Sequence, residues 1–321
     1  MKYLCRIVVL SVVLACLAGC RKSWPFLENR YSKIPADAVK GSPATDLFPP
    51  ILVSPDFEAP VPMPGPVNSA GAEDSPFITS DGQEFYFFFT PDVRVPVEKQ
   101  LIDSVTGIWA CRLVGGNWTE PERVVLSDDV SLDGCQQVIG DTLWFASTRS
   151  RNMLGDIDVF YAVRRNGEWA DWRNAGKQLN VDYNIGEFHL TSDHQTLYFG
   201  SPEGTSDYDI WRMQRNATGW DAPVKLGPNV NTAKNEGWPY LSSDMTELYF
   251  TGWNDSFAGP CIYLSRLDSL GQWGPREVIV QQFAGEPTLD DAGNLYFVHH
   301  YYTGGQNNRM LEADIYVCRR K

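Results

Sequence analysis

Histidine is scarce in this chain, with four residues in 321: His189, His194, His299 and His300. They are too few and too scattered for a nucleophile–base triad or a zinc site. The local patterns that announce such chemistry are also missing: no GxSxG, no Walker A loop, no GxGxxG before a helix, no HExxH. No CxxC or mixed Cys/His spacing is present, which removes the common structural zinc sites. Lys/Arg runs are absent and the formal net charge is −13, so a polyanion such as DNA is repelled on average. Helical periodicity is scarce after the first twenty residues. What remains is 43% hydrophobic content and 13% aromatic residues, a composition that folds and favours strands.

The one long apolar run is at the N-terminus. Lys2 and Arg6 precede Ile7 to Leu17, a length that suits a signal h-region and falls short of a membrane span. The run ends in Leu17-Ala18-Gly19-Cys20. These residues resemble a bacterial lipobox, which implies removal of residues 1–19 and lipidation of Cys20. Two acyl chains and an N-acyl group anchor far more firmly than one chain, at about 0.8 kcal/mol per buried CH₂. Arg21 in place of Asp after the cysteine points, by analogy, to the outer membrane. Of seven cysteines, Cys5 and Cys16 leave with the leader. Cys111, Cys135, Cys261 and Cys318 remain. Export permits disulfides. Yet Cys111 and Cys318 fall at one position of different repeats, too far apart to bridge, so four buried free thiols are expected.

Residues 20–56 are Pro-rich and aperiodic and read as a tether whose residues 21–50 the fold does not need, although Phe48 and Ile51-Leu52-Val53 offer apolar contacts. From residue 57 the chain repeats with a period near fifty. One marker is Phe85-Tyr86-Phe87, Leu143-Trp144-Phe145, Leu197-Tyr198-Phe199, Leu248-Tyr249-Phe250 and Leu295-Tyr296-Phe297. A turn built on Asp and Gly or polar equivalents precedes it in most copies. A second marker is Gly107-Ile108-Trp109, Asp158-Val159-Phe160, Asp209-Ile210-Trp211, Cys261-Ile262-Tyr263 and Asp314-Ile315-Tyr316. A Trp opens a fourth strand in four copies (Trp118, Trp169, Trp220, Trp273). Four short strands per unit indicate propeller blades. The fifth unit stops at Lys321 without its Trp strand. Phe57-Glu58-Ala59-Pro60 and Gly65-Pro66-Val67-Asn68 parallel Trp220-Asp221-Ala222-Pro223 and Gly227-Pro228-Asn229-Val230-Asn231. The expected fold is therefore all-β: a single five-bladed β-propeller of four-stranded antiparallel blades over residues 57–321. An N-terminal strand completes the last blade and removes two strand edges.

The Asp-Gly turn, Leu-Tyr-Phe strand and Asp-Ile-Tyr strand together resemble the PD40, TolB-like WD40 propeller family across residues 57–321. Gly107 and Cys261 depart from the marker Asp, and blade two shortens its first turn to Ile139-Gly140-Asp141. The resemblance implies a non-catalytic binding or assembly module of the cell envelope, for a protein or glycan, with no cofactor and no metal.

Candidate site residues follow from the repeat. An acid recurs where each innermost strand begins: Glu73, Asp133, Glu187, Glu236 and Glu286. Glu73, Asp133 and Glu236 align in one column; Glu187 and Glu286 align with Trp238. Two readings stand: a carboxylate ring at the channel mouth, or structural acceptors of backbone N–H groups. A carbohydrate-active hydrolase using two of these acids is the alternative function, since glycosidases need a carboxyl pair. A second acidic set, Asp156/Asp158, Asp207/Asp209 and Glu312/Asp314, reads as loop pinning. His299, His300, Tyr301 and Tyr302 near one long loop, and Arg94 in another, form a candidate loop surface. His299 and His300 point to opposite strand faces and are a poor chelating pair.

Overall fold

The Leu-Tyr-Phe segments are apolar without alternation, the pattern of strands buried on both faces. Five packed blades bury them that way. The computed structural model describes residues 28–321 except 101–102, 127–130, 154–156, 184 and 203–206. The leader and Cys20 lie outside the described residues. Blade 1 comprises Ala72–Ile78, Glu84–Thr90 and Gly107–Val114, with an outer strand in two pieces, Asn117–Trp118 and Glu122–Arg123. Blade 2 comprises Asp133–Ile139, Thr142–Ser147, Asp158–Arg165 and Glu168–Asn174. In blade 3 these are Phe188–Leu190, Thr196–Pro202, Tyr208–Asn216 and the outer pieces Gly219–Trp220 and Val224–Lys225. Blade 4 comprises Glu236–Leu241, Glu247–Gly252, Cys261–Arg266 and Glu277–Gln281. Blade 5 comprises Ala284–Leu289, Leu295–Tyr302 and Met310–Cys318, completed by Val61–Pro62. Every pairing within a blade is antiparallel.

The expected closure is present. Val61 pairs with Val317 and Pro62 with Tyr316, and Phe57 bridges Arg320. The parallel between Asn68 and Asn231 has a physical basis. Asn231 accepts from Ile210 N and donates to Ile210 O, clamping the outer connection to the third strand. Asn68 does the same with Ile315, and Asn180 with Val159.

The core lies between blades. Phe85, Phe87, Phe145, Phe199, Phe250 and Phe297 are all buried. The central aromatic is buried as well, and in blades 1 and 4 it carries its hydroxyl to an acid at the blade edge. Tyr86 donates to Glu84, and Tyr249 to Glu247, two residues back in each case. Arg164 of blade 2 then bonds Glu84 and Tyr86 of blade 1, tying neighbours together.

Residues 28–56 do not stand away from the domain as a tether would. Arg30 is 2% exposed and donates to Val67 O at 2.9 Å and Pro66 O at 2.5 Å, stacked near Phe87 and Phe89. Lys40 pairs with Glu312 and Asp314. Asp46 meets His299 Nε2 at 2.7 Å, and Phe48 packs edge-on against Phe283. Ile51–Leu52 then adds a fifth strand to blade 4, against Gln281 and Val280. The segment is a strap across blade 5 and its flanks. A side chain as buried as Arg30 is at odds with a free tether over this stretch.

Candidate functional site

The inner strands carry a feature the repeat markers do not announce. In blades 1, 2, 4 and 5 the ladder to the second strand slips by one residue. At each slip one residue adopts a left-handed backbone: Ser75 (φ 44), Cys135 (φ 51), Trp238 (φ 48) and Glu286 (φ 56). That conformation costs an ordinary L-residue about 1–2 kcal/mol, and a bulge re-aims a side chain. Here the re-aimed side chains, with Glu187 from blade 3, line the axis. Three of the four are followed by proline (Pro76, Pro239, Pro287), which cannot donate to a ladder and so marks a bulge in sequence.

The five recurring acids divide accordingly. Glu73, Asp133 and Glu236 are fully buried off the axis, each against an arginine. Arg149 Nη2 lies 2.7 Å from Asp133, Arg276 Nη1 2.6 Å from Glu236, and Arg30 Nη1 3.5 Å from Glu73. Their remaining lone pairs are filled locally. Glu73 accepts from Ser69 N, Glu236 from Thr232 N and Oγ1, and Asp133 from Ser147 Oγ. Burial pushes Glu73 up to about 8, with Arg30 pulling the other way. Its arginine contact is the longest of the three, so the charge is compensated least.

Glu187 and Glu286 face the axial channel instead, in company with Asp74, Ser75, Cys135 and Gln136. Ser75 Oγ donates to Glu286 Oε2 at 2.7 Å. The Cys135 thiol is in hydrogen-bond contact with Glu187. Burial raises Glu187 to about 7, the Cys135 contact opposes this, and the Asp74 charge adds to it. Burial and the charges of Asp74 and Glu187 hold Glu286 well above the usual carboxylate range. Burial also opposes ionisation of Asp74, but the His300 contact prevails and lowers it; His300 Nε2 is 3.8 Å from Asp74 Oδ2. The surroundings thus push the two neighbouring carboxyls in opposite directions, Asp74 down and Glu286 up. Asp74 was not among the acids the repeat singled out, because in other blades its position holds glycine (Gly134, Gly186, Gly237, Gly285).

Along the axis this neck of about 60 Å³ meets a wider depression of about 670 Å³ on the face of the first turns of blades 1 to 4. Phe77, Gln137, His189 and Tyr240 belong to both. Gln137 is fixed by Leu190, donating to its carbonyl and accepting from its N–H. Burial pushes His189 down to about 3, so its imidazole is neutral, and it packs 4.5 Å from the Tyr240 ring. The walls are turns held by Asp81, Asp193 and Asp244, each bonded to a Thr or Ser hydroxyl two residues before.

The candidate loop surface is partly internal. His299 is fully buried against Asp46, Tyr301 and Tyr316. Tyr301 bonds Tyr316 and Asp314, and Tyr302 packs against Phe283 with ring centres 4.3 Å apart and the rings tilted. Arg94 is exposed and paired with Asp37 and Asp92. His300 reaches the axial acid Asp74. In the second acidic set, Asp158 accepts from Met153 N and Asn174, Asp209 pairs with Lys225, and Glu312 and Asp314 hold the strap; Asp156 lies outside the described residues. Among the described residues no group of three or more His, Cys, Asp or Glu is placed to hold a metal ion. The four cysteines are free, with Cys111, Cys261 and Cys318 buried and Cys135 partly open to the channel.

No protein-family model matches the chain, and no curated protein matches it. Among solved structures, TolB from Acinetobacter baumannii is 14% identical over 79% of this chain, with a TM-score of 0.43; the match spans only 56% of that protein. A putative TolB from Agrobacterium tumefaciens is 13% identical over 79% of this chain and 91% of its own, with a TM-score of 0.44. A thermostable family-43 glycoside hydrolase is 12% identical over 79% of this chain and 91% of its own, with a TM-score of 0.48. Likeness this distant decides nothing about function.

Proposed function

We propose that this protein is a non-catalytic binding module of the bacterial cell envelope, anchored by lipid at Cys20, with its ligand site on the propeller axis. The observation that carries this reading is the depression of about 670 Å³ at the axis. Its floor is neutral and fixed, through Gln137, His189 and Tyr240, and offers shape and hydrogen bonds rather than a nucleophile. Three of the five recurring acids are spent on internal arginine pairs, which supports architecture over catalysis for them. The ligand is an envelope protein segment or a glycan. The test is binding of the whole chain to panels of envelope glycans and envelope proteins. Ser243→Trp, on the exposed wall of the depression, is expected to abolish the interaction without changing the melting temperature. Unchanged binding in that variant overturns the reading. Lipidation is tested separately: radiolabelled palmitate is incorporated by the parent and not by Cys20→Ser.

One observation favours a second reading, a carbohydrate-active hydrolase. Two acids from different blades, Glu187 and Glu286, line the same axial neck, and glycoside hydrolysis uses a pair of carboxyls flanking the scissile bond. Turnover of aryl-glycosides that Glu286→Gln removes establishes that reading; silence across a broad panel leaves the binding module.

A further inference from the structure

We propose that the neck of the axial channel binds a primary ammonium group. This rests on the reading of the axis as the binding site and names the chemistry its narrowest part selects.

The neck has room for about 60 Å³, roughly the volume of two waters. A small head group such as an ammonium fits this space. The wall is rich in acceptors whose neighbouring donors are already used. The Ser75 hydroxyl is given to Glu286. Cys135 is engaged with Glu187. Gln136, 5% exposed, gives its Nε2 to Ser75 O. Its Oε1 is buried at the neck with no partner. A buried acceptor left unmade costs about 1–3 kcal/mol, and this one lies beside the carboxylates. The unmet demand is for N–H donors and positive charge together, which is what a primary ammonium supplies. Trp238 lines the same neck, and an indole ring is a residue type that attracts such a cation. The described residues show no cluster suited to a metal ion, which sets an ammonium apart from an inorganic cation.

A lysine side chain and an amino sugar both present this group. The test titrates the whole chain by calorimetry with Nα-acetyl-lysine amide and with glucosamine. The neutral counterparts are Nα-acetyl-norleucine amide and N-acetylglucosamine. Saturable binding of at least one ammonium probe is expected, with its counterpart about tenfold or more weaker, and the preferred probe identifies the source. With the titrations run at pH 8, above the value of about 7 to which Glu187 is raised, Glu187→Gln and Glu286→Gln, which keep size and cannot supply a carboxylate to the ammonium, are each expected to weaken binding by about tenfold. Gln136→Leu, checked for an unchanged melting curve, is expected to weaken it as well. The proposal is overturned if neither ammonium probe saturates, if a neutral counterpart binds equally, or if both Gln variants bind as the parent does. Displacement of the probe by equimolar potassium or calcium also overturns it. A partner that Ser243→Trp releases, in a protein that ignores ammonium probes, ends this proposal and leaves the binding module standing.

Discussion

Ser75 Oγ donates to Glu286 Oε2 at 2.7 Å, joining the innermost strands of the first and last blades across 211 residues of sequence. Both residues sit at the left-handed position of their bulges. The ring is thus clasped twice, at the rim by Val61–Pro62 and at the axis by this bond. Deleting residues 57–68 removes the outer clasp together with Phe57, Val67 and the Asn68 clamp. The expected result is loss of the cooperative melting transition of the whole domain, read by circular dichroism. A truncation that melts like the parent contradicts the closure.

Arg30 tests the strap. Arg30→Ala takes a buried donor group from Val67 O, Pro66 O and Glu73, and buried acceptors left unmade cost about 1–3 kcal/mol each, about 3–5 kcal/mol together. The melting temperature is expected to fall by many degrees, and deletion of residues 28–50 to do at least as much. A deletion without effect would make the strap ornamental.

Arg149→Ala is expected to behave in the same way. It strips the fully buried Asp133 of its 2.7 Å partner, again at about 3–5 kcal/mol. Asp133→Asn combined with Arg149→Met removes both charges and recovers most of the loss. A double variant as unstable as the single one would show that packing, not charge, holds this corner.

Stability is expected to decline from mildly acid to mildly alkaline pH. Glu187 is raised to about 7, Glu312 to about 7 and Glu73 to about 8, each from 4.5. A carboxyl raised in the folded state binds more protons there than when unfolded. Its contribution is complete below about pH 4.5 and is lost as pH rises through 7 to 8. Asp81, Asp193 and Asp244 are lowered and act oppositely, losing their contribution as pH falls below the ordinary Asp range. A melting maximum near pH 5 follows. Glu187→Gln flattens the alkaline limb. A melting temperature that climbs steadily to pH 8 refutes this assignment.

The thiols give a chemical check. Burial pushes Cys111 and Cys318 up to about 12 and holds Cys135 well above its usual range. The native protein is expected to resist iodoacetamide at neutral pH and to show four free thiols once unfolded. Prompt alkylation of Cys111, Cys261 or Cys318 in the native state would contradict their burial.

Blade count and closure were legible because each blade repeats its own strand markers, and because the missing Trp strand at Lys321 has its counterpart at Phe57. The site was less legible for a physical reason. A one-residue bulge decides which side chain meets the axis, and the five acids straddle it. Glu73, Asp133 and Glu236 fall before the bulge and meet arginines; Glu286 falls on it and Glu187 occupies the matching column, so both meet the channel. The prolines at 76, 239 and 287 carried that information. Asp74 had no repeating counterpart to flag it. The partners of Arg30, Lys40 and Asp46 lie as far as 274 residues away, and no local pattern encodes such contacts.

The order of attachments along the strap also bears on mechanics. A pull on the N-terminal end meets Arg30 first, then Lys40, Asp46 and the strand at Ile51–Leu52. Only after these yield does tension reach Phe57 and Val61–Pro62, where the ring is fastened. The strap therefore acts as strain relief, shielding the propeller's seam from load applied at its leading end.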